Sequence, residues 1–248
     1  MLLKRKNRIK PLYKKFIYLR DNVQNRTKLL KFKRKKWASF IRHYLKNLKR
    51  FNKFKSKDQS NYVVTKYSNK NTSYKKQFKQ NLVARSKFKL FYGGLLNKYL
   101  KKNVNYALEK NKKQNNINKE FLKLHEKRLD TILVRSKFSK SFRDSRQLIS
   151  HGKILVNNYV IKSPSYALKP GDLISINHKF IKLFENNLRY CIKTRIKHYT
   201  GLWPLPPKHL IINYRTMEIF ICKMEVTNFE TEFTFNLNLE KILTNRFG

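Results

Sequence analysis

One stretch, Arg128 to Ile176, limits what this chain can fold into more than any other. Leu129, Ile132 and Leu133 fall three and four residues apart, the spacing of one helix face. The polar break Ser139-Lys140-Ser141 offers a cap for a second helix, in which Ser145, Leu148 and Ile149 share a face. Gly152 follows the last apolar residues of that helix, where a left-handed C-cap belongs. Ile154, Val156 and Val160 flank the pair Asn157-Asn158 and predict a hairpin, because Asn tolerates the positive φ that a tight turn requires. Pro170-Gly171-Asp172 marks another turn, and Leu173, Ile174 and Ile176 a following strand. The expected unit is therefore helix, helix, hairpin, turn, strand, around a small core.

Charge has a direction within this unit. Arg135, Lys137, Lys140, Arg143, Arg146 and Lys153 crowd its helices and first strand, with Ser139, Ser141, Gln147, Ser150 and His151 among them as uncharged donors. Phosphate groups are bound by such donors on a rigid platform, with helix N-termini adding backbone N–H groups. The ordered series Arg-Leu-Asp (128–130), Arg-Gln-Leu-Ile-Ser-His-Gly (146–152), Ile-x-Val-Asn (154–157), Pro-Ser-Tyr (164–166) and Lys-Pro-Gly-Asp (169–172) resembles the RNA-binding module of the S-four family. That family is named after the fourth protein of the small ribosomal subunit. Two positions depart from its pattern. Asn157-Asn158 stands where the family usually has Asn-Gly, and Phe142-Arg143-Asp144-Ser145 where it usually has Arg-Ala-x-Ala.

The chain as a whole carries 59 Lys and Arg against 14 Asp and Glu in 248 residues, a formal net charge of +45. A folded domain this charged repels itself, so a polyanion, above all nucleic acid, is the expected partner. No apolar run approaches the roughly 20 residues of a membrane-spanning helix, so no membrane is expected. Two cysteines, Cys191 and Cys222, form no Cys-x-x-Cys pair, and no zinc or other metal site is expected. The load of Lys, Asn, Phe, Ile and Tyr, residues with AT-rich codons, points to an AT-rich genome such as an organelle's. The basic N-terminus lacks the features of a presequence or signal peptide, which suits a protein made inside a mitochondrion.

Four regions are expected, an α+β arrangement with a helical N-terminal part and a short β-rich C-terminal part. Residues 1–26 read as a basic arm, Lys4 to Lys10 first and then a few aromatics that dock on the body. Residues 27–127 read as a helical, RNA-binding region with polar insertions. Within it, Trp37, Phe40, Ile41, Tyr44, Leu45 and Leu48 make an amphipathic stripe over 29–48. The preceding Lys31, Lys33, Arg34, Lys35 and Lys36 have no acid near them and read as phosphate contacts. Residues 51–78 read equally as an extended strap over RNA or as a polar loop. Residues 82–102 read as one helix interrupted by Gly93-Gly94, where close packing or a bend is expected, and 103–119 as a linker. After the module, 128–176, comes a C-terminal extension, 177–248, with strands near 210–212, 218–224 and 232–239. Positive charge belongs upstream: 37 cations face 4 acids over residues 1–120, whereas 3 face 5 over 216–248.

Enzymatic motifs are missing. No P-loop, dinucleotide-binding loop, Ser-His-Asp order or His-Glu-x-x-His occurs. Arg128-Leu129-Asp130 resembles the motif that carries the catalytic Asp of pseudouridine synthases, but it continues into Thr131-Ile132-Leu133 inside the module itself, so Asp130 reads as a salt-bridging or capping residue. The resemblance implies a structural protein of the small ribosomal subunit, of mitochondrial type and encoded in the organelle. It would bind small-subunit rRNA, aid assembly, touch neighbouring ribosomal proteins and lie where messenger RNA enters the subunit, with no cofactor and no catalytic residue. A free RNA chaperone or splicing cofactor is the alternative, and an RNA-modifying enzyme a more distant one. Replacement of Arg146 and Lys153 by Ala is expected to flatten the salt dependence of RNA binding by about one slope unit per lost phosphate contact.

Overall fold

A computed structural model describes residues 12–21, 23–24, 34–35, 37–43, 73–110, 117–196, 209–222, 237 and 239–243. The basic arm 1–10, Lys31, Lys33, Lys36, the stretch 51–72, residues 111–116 of the expected linker and residues 197–208 lie outside the described residues. The described chain divides into two compact units. One is built from residues before 92 together with 237–243, the other from 92–222.

The first unit is helical. Helix α1, Leu12–Leu19, buries Phe16 and Leu19 and leaves Tyr18 exposed. Residues 37–43 are helical, and Trp37 and Phe40 are buried with rings edge-on at 5.8 Å. This places the first residues of the expected stripe in the core. Helix α2, Tyr74–Phe91, buries Ala84, Phe88, Leu90 and Phe91 near its C-terminal end. Lys87 is ion-paired with Asp21, and Gln24 donates to the Leu90 carbonyl at 2.8 Å.

The second unit begins at Tyr92. The expected single helix over 82–102 is instead two. Helix α2 stops at Phe91, and α3 runs Asn97–Lys110. Gly93 and Gly94 sit in the break with φ of +75° and +83°, which no right-handed helix accepts. Helix α4, Ile117–Glu126, packs on α3, so 103–119 is mostly helix where a linker was expected. The apolar spacing of Leu100, Val104 and Ala107, all buried, carries α3 through that Asn- and Lys-rich sequence.

The module follows as α5, Leu129–Arg135, and α6, Phe142–Ser150. Ser141 caps α6 by accepting from the Asp144 amide, while Asp144 accepts from the Lys140 amide. The helix ends in a Schellman motif. Gly152, φ +67°, donates to the Ile149 carbonyl at 2.9 Å and Lys153 to the Leu148 carbonyl at 3.2 Å. Strands β1, Ile154–Val156, and β2, Tyr159–Val160, close on Asn157 and Asn158, φ +49° and +67°. Positive φ at both central residues is the type I′ geometry that matches strand twist. Strand β3, Leu173–Ile176, pairs with β1.

A 3-10 turn, His178–Phe180, leads into α7, Ile181–Ile196, whose Phe184 is fully buried. Strands β4, Leu210–Asn213, and β5, Glu218–Ile221, then complete an antiparallel sheet of order β2-β1-β3-β5-β4. The C-terminal strands thus extend the module's own sheet, with Leu173 opposite Phe220 and Ile174 opposite Ile219. Leu129, Ile132, Leu133, Leu148, Ile149, Ile154, Ile174 and Ile219 meet in one core between helices and sheet. Each such side chain removed from water contributes about 2 kcal/mol. Of the strand expected over 232–239, only residues 237 and 239 are described, and neither is in a strand. A short helix, α8, Glu240–Leu243, follows and packs on α2 within the first unit.

Candidate nucleic-acid interface

Helix α6 is amphipathic by construction. Phe142, Ser145, Leu148 and Ile149 face the core. Arg143, Gln147, Ser150 and His151, at the complementary spacing, are exposed, and Lys140 joins them just before the N-cap. Lys153 continues this face, half-buried with its ammonium 4.8 Å from the centre of the Phe180 ring. Lys140 lies similarly over Tyr190, at 5.0 Å. These aromatic seats hold flexible lysine stems in place without using their N–H donors. The only acid of α6, Asp144, is engaged in the cap.

Other residues expected at the interface are turned inward. Arg146 donates from Nε to Asp130 at 2.9 Å, and from its two terminal nitrogens to the carbonyls of Gly93 at 2.7 Å and Tyr92 at 2.8 Å. Arg135 forms a fork on Glu126, at 3.0 and 2.8 Å. Their guanidinium groups therefore serve the fold. Ser139 is buried in the turn between α5 and α6, and Ser141 is the cap. Lys137 is half-buried at φ +67°. Arg34 and Lys35, in the first unit, are exposed.

A buried polar network underlies the exposed face. Asp130, fully buried, receives both Nε and a terminal nitrogen of Arg128, each at 2.9 Å, in addition to Arg146. The guanidinium of Arg128 also stacks 5.0 Å from the Tyr99 ring centre. Burial alone would lower the affinity of Arg128 for its proton, but the hydrogen bond to Asp130 and its charge outweigh it. Glu126 accepts from Tyr92 at 2.8 Å as well as from Arg135. Burial would raise its carboxyl, yet the charge and hydrogen bonds of Arg135 hold it below the usual range. His125 is enclosed by Tyr92, Tyr99 and Phe121. Its Nδ1 donates to the Phe121 carbonyl at 2.9 Å, and its Nε2 lies 3.3 Å from Asn103. Burial drives its pKa down to about 4, so it is neutral at pH 7. The sequence held a signal for Asp130, in Arg-Leu-Asp. It held none for Glu126, whose partners lie on other elements, or for His125, which bonds within its own helix and to Asn103.

Asp130 is fully buried beneath two guanidinium groups. Among the described residues no group of His, Cys, Asp and Glu is placed to hold a metal ion, and no helix is long and apolar enough to cross a membrane. Two helices, the second capped at both ends, a type I′ hairpin and a further strand, presenting a basic helix face over a clamped core, define an S4-type nucleic-acid-binding protein. The S4 domain family matches residues 127–174. The chain is 32% identical over 212 residues to the small ribosomal subunit protein uS4 of Carsonella ruddii, covering 85% of this chain and 96% of that one. It is 29% identical over 189 residues to uS4m of Reclinomonas americana, 75% of this chain and 73% of that one. It is also 37% identical over 138 residues to uS4m of Marchantia polymorpha, 54% of this chain and 63% of that one. The chain belongs to the uS4 family of small ribosomal subunit proteins.

Proposed function

We propose that this protein is a structural constituent of the small subunit of a mitochondrial ribosome, encoded in the organelle. It binds small-subunit rRNA, aids assembly of the subunit, contacts neighbouring ribosomal proteins and lies where messenger RNA enters. The observation that carries this reading is the exposed face of α6, with Lys140, Arg143, Gln147, Ser150 and His151 on a helix fixed at both ends. Lysines and arginines there displace counterions condensed on the RNA backbone, and the rigid helix selects a folded shape more than a base sequence. Arg34, Lys35 and the basic segment before them add phosphate contacts from the first unit. The likeness to uS4m proteins from two sources supports the mitochondrial assignment.

The test is sedimentation of native mitochondrial lysate through sucrose gradients at moderate and high salt, with the protein followed by immunoblot. Co-migration with the small subunit that survives high salt is expected of a core component. Migration near the top of the gradient, or release at modest salt, would instead fit a free RNA chaperone or splicing cofactor and overturn the ribosomal role.

A further inference from the structure

Lys110, Lys123 and Lys127 lie outside every contact described above, at the C-terminal ends of α3 and α4. The Lys110 ammonium is 3.6 Å from one oxygen of Glu120, and that of Lys123 is 3.4 Å from the other. Lys127 comes four residues after Lys123, on the same side of the helical path. Its amine is held below the usual lysine range by partial burial first, then by the charges of Lys123 and Lys110, with Glu120 opposing. Two ammonium groups thus share one carboxylate, with Lys127 one helical turn beyond Lys123, so positive charge is in excess there. The platform is rigid. Glu120 is largely buried, and the Lys127 carbonyl accepts from the Leu168 amide at 2.9 Å, tying the cluster to the loop that precedes β3. Tyr106, about half exposed, lies beneath the Lys110 ammonium at 5.9 Å and offers a ring beside the charges.

We propose that Lys110, Lys123 and Lys127 form a second phosphate-binding site for the RNA backbone, carried by different elements from the face of α6. The site rests on the proposed function, since its ligand is a phosphodiester of the rRNA. A phosphate seated among the three amines replaces the mutual repulsion that Glu120 only partly offsets. Glu120 then has a signed role, because it holds the lysines in place and competes with the ligand.

The test is binding of the full chain to transcribed small-subunit rRNA across a salt series, with thermal melting of each variant. The combined Lys110→Gln, Lys123→Gln and Lys127→Gln variant should bind more weakly and lose about two to three units of salt slope. Glu120→Gln should bind several-fold more tightly at low salt. An unchanged slope in the lysine variant overturns the site, as does binding by Glu120→Gln equal to or weaker than wild type. Because Glu120→Gln removes no lysine, it decides the matter even where the lysine variant folds poorly. A wild-type protein that does not bind the rRNA overturns the proposed function itself, whereas normal wild-type binding with unaffected variants overturns the second site alone.

Discussion

Arg146 shows how far the partners of one side chain can lie from its neighbours in sequence. It sits in a basic helix beside exposed cations, yet all three guanidinium nitrogens are engaged, with Asp130 and the carbonyls of residues 92 and 93. Arg146→Ala would remove three donors from two carbonyls and a buried carboxylate, at a cost of about 2–3 kcal/mol. Urea unfolding should show that loss, while the salt slope of RNA binding by the folded variant stays that of wild type. A slope lower by one unit would return Arg146 to the interface. His125 gives a pH signature. Its folded pKa of about 4 lies below the ordinary 6.5, so the unfolded chain binds its proton first as pH falls. Stability is therefore full above pH 6.5 and declines between about 6.5 and 4, by up to about 3 kcal/mol from this group. His209, buried and lowered in the same direction, adds to the decline. Unfolding of His125→Gln across pH 7 to 4 should have a shallower pH dependence than wild type, and an equal one would exclude the assignment.

At the scale of elements, what was legible in the sequence was what is local. The cap at Ser141, the stop at Gly152 and the Asn157-Asn158 turn each depend on residues within five positions, and each is where the spacing of residues puts it. At Gly93-Gly94 the sequence offered close packing or a bend, and the structure has a full break with close packing at Gly93. The need for Gly at 93 is remote in origin, since a Cβ there would approach the Phe142 Cβ to 2.5 Å. Likewise nothing local in 210–221 says that these strands join the sheet of 154–176. Two glycine substitutions separate the causes. Gly94→Ala, at φ +83° with open space around it, should cost about 1–2 kcal/mol for backbone strain alone. Gly93→Ala, strained and blocked by Phe142, should cost distinctly more, and equal melting temperatures would show that the loop yields. In the hairpin, Asn158→Gly should raise stability by a few tenths of a kcal/mol or more. The same change at Asn157 should not, because its side chain accepts from the Leu173 amide at 2.9 Å and donates to Asp172 at 3.0 Å.

For the whole molecule, charge and fold are separable. The exposed cations of α6 touch little that holds the core together, whereas Arg128, Arg135 and Arg146 hold it. A combined Lys140→Gln, Arg143→Gln and Lys153→Gln variant should lose about three units of salt slope with nearly unchanged thermal melting. A large fall in melting temperature with an unchanged slope would reverse that division.

The path of the chain through its two units carries a consequence for timing. Strand β5 supplies the edge partner of β3, and α8 returns to α2, so both units use residues made late. A chain made only as far as residue 200 contains α6 and its cations but lacks the strand that covers the edge of β3. The exposed face of α6 is therefore complete in the chain before the sheet can close. The open edge is the state in which such a chain is most prone to pair with the wrong strand. Closure of the sheet by the C-terminal strands is thus the last step left to the second unit as it is made.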